Sequence, residues 1–419
     1  MQVKKTFFVL LIALVLVVGT VVVVSMNQEG KDSDVAYSAT TEYSDETKEI
    51  YGKFTAKTTI ELLKGRKSNT CYSPVSLYSV LCMAAEGNGR LADEIVSALG
   101  VKSVEDIRDS FISFGEPKNE NNKIVLLNSV WANEKDITRI NQEVADNLVS
   151  FYHCEVFHEV FKSDNINSWV SENTNGLIKN IVDKEIEYSK LLLINTLYFK
   201  GGWNEQFEDA GKDTFNISTF EKVEAEYIER KADVNIYIKG DDYLAVPYSV
   251  GDGAEMIFIL PDGNVKLDDI IEEDVINEVM ASMSAAEDST NVENIMKTAM
   301  ARISIKIPKF SIENTFGSKE IKTALVKMGI ENMADVSSVL DMNETTGLAG
   351  NDYDIIQKTK ITLNEEGIEG AASTIISGVT AGGNVEYEDM NVTLDRPFAF
   401  ILEKDGMPLF IGTVYNPAE

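Results

Sequence analysis

Histidine is almost missing from this chain of 419 residues: only His153 and His158 occur. Most serine and cysteine nucleophiles need an imidazole base, so such hydrolases are left with two candidate bases. In the run FYHCEVFH the two are five residues apart. On a strand that spacing puts them on opposite faces, where they cannot hold one metal ion. Cysteine is scarce as well. Cys71, Cys82 and Cys154 are odd in number and irregular in spacing, with no CxxC pair, which excludes a disulfide framework. They read as small buried hydrophobes, so the core alone must hold the fold. Positive charge is also short: 38 Lys and Arg stand against 68 Asp and Glu, for a net charge of −30. Such a surface repels a phosphate backbone and argues against a nucleic-acid partner. No HExxH, glycine-rich phosphate loop or Ser-His-Asp order is found. The expectation is a protein that is not an enzyme and uses no metal or cofactor.

What is present begins at the N-terminus. After Lys4 and Lys5, Phe7 to Val24 is apolar except for Gly19 and Thr20. As a helix it spans roughly 27 Å, close to a bilayer's hydrocarbon core. Residues 1–26 read either as a cleaved signal peptide or as an uncleaved signal anchor, the anchor being slightly favoured because the run is long and no A-x-A site follows. Either way the rest of the chain is expected outside the membrane, secreted or held there by residues 7–24. Residues 27–45 are polar, acidic and rich in Ser and Thr, a flexible tether. Residues 46–419 contain no second linker and read as one domain.

Within that domain helical and strand patterns mix without a strict βαβ order, which makes the class α+β. Ser73-Pro74 is a helix start, followed by a stripe of Leu77, Val80, Leu81 and Ala84. Ile276, Val279, Met280 and Met283 form a second stripe. Ala301 to Phe310 alternates as a strand, with Ile303, Ile305 and Ile307 on one face. Lys190 to Phe199 is nearly continuously apolar, as in a strand buried on both faces. PFAFIL and PLFIGTV, joined by Glu403 to Gly406, predict a hairpin.

Glu365 to Pro397 is the unusual segment. It lies between two strands, and some thirty residues of loop in a compact domain is functional or disordered. From Gly370 to Gly383 it holds neither charge nor proline. Extended, it would place Ile368, Gly370, Ala372, Thr374 and Ile376 on one face with no missing backbone donor. It is therefore competent to become a central strand. A flexible Ala/Gly/Ser surface loop is the plainer reading of the same residues.

At this point the chain resembles the serpin family over residues 46–419. The resemblance rests on NTCYSPVSLYSVLCMAAEG at Asn69–Gly87, INTLYFKGGWNEQF at Ile194–Phe207, IPKF at Ile307–Phe310, EEGIEGAAST at Glu365–Thr374, and the terminal strands from Asp395 and Leu409. Each is weak alone; five in family order are specific. The resemblance implies three β-sheets, about nine helices and an exposed reactive-centre loop. It implies a monomeric inhibitor that forms a covalent acyl-enzyme with a serine protease, then inserts the cut loop into its central sheet. Family spacing puts the reactive bond sixteen residues after Glu365, at Ala381–Gly382, with Val379 and Thr380 as alternatives. Ala381 suits an elastase- or subtilisin-like pocket, and no Lys or Arg lies between Glu365 and Arg396 to suit a trypsin-like one.

The resemblance also assigns a hinge of Glu365, Gly367, Ile368, Glu369, Gly370, Ala371 and Ala372. Ser73, Ser76, Asn195 and Gln357 fall on the family's polar cluster beneath the opening sheet, with Gln357 where a His is usual. Trp203, Lys309 and Glu365 fall at the top of that sheet, where an ion pair is expected. Ile368 and Gly370 depart from the small residue and the Ala usual in inhibitory members. The alternative is a non-inhibitory member that is cleaved as a substrate or acts as a binding protein.

Overall fold

The strands sort into two sheets, each of which holds both strands buried on two faces and strands whose burial alternates. The computed structural model describes residues 43–87, 89–111, 123–137, 141–251, 253–287, 298–332, 353–368 and 387–419. Among these are nine α-helices: α1 Asp45–Leu63, α2 Pro74–Ala85, α3 Arg90–Leu99, α4 Val104–Asp109, α5 Gln142–Tyr152, α6 Ser163–Asn173, α7 Leu267–Ile270, α8 Glu273–Glu287 and α9 Ser318–Lys327. The strands are β1 Thr70–Tyr72, β2 Lys123–Asn133, β3 Cys154–Glu159, β4 Leu191–Gly202, β5 Glu208–Asn216, β6 Lys222–Lys239, β7 Tyr243–Val250, β8 Ala254–Pro261, β9 Thr298–Pro308, β10 Phe310–Phe316, β11 Tyr353–Asn364, β12 Gly367–Ile368, β13 Asp389–Thr393, β14 Phe398–Lys404 and β15 Met407–Val414.

One sheet runs β10-β11-β12-β4-β2-β3. The other runs β1-β15-β14-β8-β7-β6-β9-β13, with β5 also on β6. In the second, β6 and β7 share only the pairs Ile238–Ala245 and Lys239–Leu244. That narrow join separates β1-β15-β14-β8-β7 from β5-β6-β9-β13, so the α+β architecture also divides into three sheet-like units. The expected strand from Ala301 to Phe310 is in fact two. β9 keeps the alternation of Ile303, Ile305 and Ile307, all buried. Lys309 then carries the chain from one sheet to the other, where β10 begins at Phe310.

Local chemistry sets the helix ends. Ser44 caps α1 by accepting the Thr47 amide at 3.1 Å, with Asp45 and Glu46 in the positive first turn. This start lies just inside the span read as tether. Ser73 caps α2 in the same way, accepting the Ser76 amide at 3.2 Å, with Pro74 at the first position. The stripe expected on α2 is not a stripe, because all twelve residues are buried. A helix buried all round is central, wedged between sheet and helices rather than lying on the surface. The β14–β15 turn is tighter than the sequence suggests: Lys404 pairs with Met407, and Asp405 and Gly406 sit at φ 55° and 78°. Two positive φ values match the strand twist in a two-residue hairpin, and Asp-Gly supplies them.

Most apolar residues join one core between the sheets and the helices α1, α2, α3 and α8. A second, smaller cluster lies on the other face of the β4 sheet. There Trp169, Ile166 and Val170 of α6, with Ile178, Ile181 and Val182 after it, cover Trp131, Leu192 and Ile194. All three cysteines are buried and unpaired, and burial pushes each thiol's pKa up. No described helix is long and apolar enough to cross a membrane; residues 1–42, including the apolar run, lie outside the description.

Candidate functional site: the seam between β4 and β11

β4 and β11 are parallel neighbours over four pairs only, from Leu191–Tyr353 to Ile194–Ile356. Above that point, among the described residues, their ladder stops. At the far end β12 lies between them. Leu363 pairs with Ile368 and Asn364 with Gly367 on one side; Gly202 pairs with Gly367 and Gly201 with Ile368 on the other. All of these are antiparallel pairs. Two residues of the predicted hinge are thus already a short central strand. Ile368, bulkier than the family pattern, is 1% exposed and packs in the main core.

The turn that starts β12 depends on residues whose sequence context is plain. Asn364 Oδ1 accepts the amides of Glu366 at 2.9 Å and Gly367 at 3.2 Å. Gly367 has φ 139°, a conformation that a side chain resists. A Cβ there would come within 2.6 Å of the Gly202 Cα and would also strike the Gly201 carbonyl. Trp203 closes the corner. Its indole N–H donates to the Asn364 carbonyl at 2.8 Å and its amide to the Glu366 carbonyl at 3.2 Å. Its ring also packs at 4.8 Å from Phe207, so it is both core and clasp.

Lys309 Nζ stands 2.9 Å from Glu365 Oε2 on this turn. The ammonium, chiefly through that hydrogen bond, holds the Glu365 carboxyl below its ordinary value. In return Glu365 raises the Lys309 pKa.

The predicted polar cluster is split in two. On the β11 side, the Ser73 amide donates to Gln357 Oε1 at 3.0 Å and Gln357 Nε2 returns a bond to the Ser73 carbonyl at 2.7 Å. Ser76 meets Ser73 through the α2 cap. On the β4 side, Asn195 Nδ2 donates to Asn128 Oδ1 at 2.6 Å, and Asn128 Nδ2 to the Tyr152 carbonyl at 2.8 Å. No hydrogen bond joins the halves among the described residues. Asn195 Oδ1, in a residue 3% exposed, has no partner among the described residues. A buried orphan acceptor is costly and calls for an explanation.

Asn128 and Asn364 were missed by the sequence reading. Each is an Asn interrupting or ending an apolar strand, which is the signal that could have found them. Glu369, Gly370, Ala371, Ala372, Val379, Thr380, Ala381 and Gly382 lie outside the described residues.

The family described as serpin (serine protease inhibitor) matches residues 49–417. A serine protease inhibitor of Cyanea capillata is 27% identical, covering 85% of this chain and 94% of its own. Among solved structures, the thermophilic serpin tengpin in its native state superposes with a TM-score of 0.71 at 23% identity, covering 90% of this chain and 96% of its own. Thyroxine-binding globulin complexed with thyroxine does so at 0.68 and 18%, covering 89% and 100%. With the match running over nearly the whole described domain, and β4 and β12 overlapping segments that carry the sequence resemblance, this chain belongs to the serpin family.

Proposed function

We propose that this serpin is a suicide-substrate inhibitor of serine proteases with small apolar S1 pockets, elastase- or subtilisin-like, and acts outside the cell, delivered by residues 7–24. The protease serine attacks the carbonyl of Ala381, or of Val379 or Thr380, expelling the following amine and leaving an acyl-enzyme ester. The freed loop then enters the β4–β11 seam and carries the linked protease with it.

The observation that supports this best is the register of β12. Its pairings with β4 and with β11 are mutually consistent, so one strand extended at that register satisfies both edges. Its twelve residues from Gly367 to Gly378 would match the twelve of β4 and the twelve of β11. Insertion of that length moves the cut end by on the order of 40 Å at a strand's rise per residue. Ile368, Gly370, Ala372, Thr374 and Ile376 would face the core. Ile375 would face Ile194 and Ile356, on the side of the second apolar cluster. Glu369 would lie opposite Lys200. Thr374 would fall between Asn195 and Gln357, and its hydroxyl would give Asn195 Oδ1 the donor it lacks. The fold by itself does not argue for inhibition, since thyroxine-binding globulin shares it.

The test is incubation with an elastase-type and a subtilisin-type protease, followed by a denaturing gel and intact mass. The expected result is a covalent complex that survives denaturation, with a released peptide beginning at or near Gly382. Clean cleavage with full recovery of protease activity in both cases would make the protein a substrate and overturn the reading.

A further inference from the structure

Lys309 sits at the crossing between the two sheets, and its ammonium is oversubscribed. Its backbone amide is fixed to β6 by a 2.8 Å bond to the Glu226 carbonyl. From that anchor the side chain reaches three carboxylates: Glu365 at 2.9 Å, Asp209 of β5 at 3.4 Å and Glu226 of β6 at 3.9 Å. Glu365 belongs to the hinge turn. The other two belong to the β5–β6 ribbon of the opposite sheet. Asp209 and Glu226 are well exposed, with side chains 64% and 62% accessible, whereas the Lys309 side chain is at 21%. One cation thus balances three anions, and what Asp209 and Glu226 take is withdrawn from Glu365.

We propose that Asp209 and Glu226 are positioning residues for the hinge: by competing for Lys309 they loosen its grip on Glu365 and so set how firmly β12 is held between β4 and β11. Neutralising a competitor then tightens the hinge, the opposite of what losing an ion pair does in a passive network. Lys212 lies opposite Glu226 across the ribbon and shares in its charge, which makes Glu226 the weaker competitor, although the Lys212 hydrogen bond goes to Glu224. Lys231 is engaged with Glu208 and Glu229 and leaves the balance in place.

The experiment is native-state hydrogen exchange at the amides of Trp203, Glu366, Gly367 and Ile368. It requires no protease, so it succeeds or fails independently of the inhibitory reading. Asp209→Asn is expected to slow exchange there by roughly two- to fivefold, in keeping with exposed ion pairs. Glu365→Gln is expected to speed it. In the Glu365→Gln background, Asp209→Asn should change nothing, which a merely structural effect of residue 209 would not reproduce. Glu226→Gln, at the longer distance, should act in the same direction and more weakly. Unchanged or faster exchange in Asp209→Asn, or an effect that survives Glu365→Gln, would overturn the proposal.

Discussion

The two ends of the β4–β11 seam are closed by different physics. At the lower end, four residue pairs are backed by apolar cover: Leu192, Ile194 and Ile356 pack beneath α6 and the segment after it. Lys358 Nζ of β11 adds a bond to the Asn180 carbonyl of that segment at 3.0 Å. At the upper end Ile368 and Trp203 also sit in the main core, but β12 itself is held by backbone fit and polar contacts: a glycine at φ 139°, an asparagine turn, an indole clasp and a shared ammonium. Apolar burial is cooperative and global in its effect. Turn geometry and ion pairs are local and weak. The sheet is therefore sealed below and latched above.

Three substitutions or conditions would break or sharpen this contrast. The largest effect is expected below. Leu192→Ala removes a fully buried side chain from the smaller cluster. It should lower the unfolding free energy by about 2–5 kcal/mol in urea titration. A loss under about 1 kcal/mol would mean that the lower seal is not apolar packing. Next comes the latch. Gly367→Ala forces a Cβ against Gly202 at a positive φ, a strain of about 1–3 kcal/mol. It should release β12, read as faster exchange at Ile368, while the urea midpoint stays nearly constant. A global loss instead would show that the top is as structural as the bottom. The smallest effect is that of pH. Lys309 lowers the folded-state pKa of Glu365 from its ordinary 4.5. The pair's contribution is therefore complete above that value and fades as pH falls through the lowered one. Protection of the β12 amides, corrected for intrinsic exchange, should be flat from neutrality to about pH 5. A change setting in near pH 6–7 would contradict the assignment to Glu365.

Much of this was legible in the residues. The cap at Ser73-Pro74, the continuous burial of β4, the terminal hairpin and the isoleucines of β9 follow from periodicity and turn chemistry. Two features were missed. The full burial of α2 depends on what lies on its polar-looking side, which no helical wheel contains. The break at Lys309 was overlooked although the pattern changes phase there, from buried odd positions in β9 to buried even positions in β10, because reading Ala301 to Phe310 as one strand ran across the change. Within the site, Lys309 and Glu365 were chosen through family likeness, but Asp209 and Glu226 carried no local sign. Acidic residues are so frequent here that two more on a ribbon looked like solvated surface.

The sequence by itself determined the class of fold and the absence of disulfide support. These depend on local propensity, composition and spacing, which need no partner. Only the tertiary structure decided that Gly367 and Ile368 lie between β4 and β11, that the polar cluster is split with Asn195 Oδ1 unsatisfied among the described residues, and that one lysine serves three carboxylates. Those are relations between residues far apart in the chain. Their energies arise from geometry at a few ångströms, which folding alone creates.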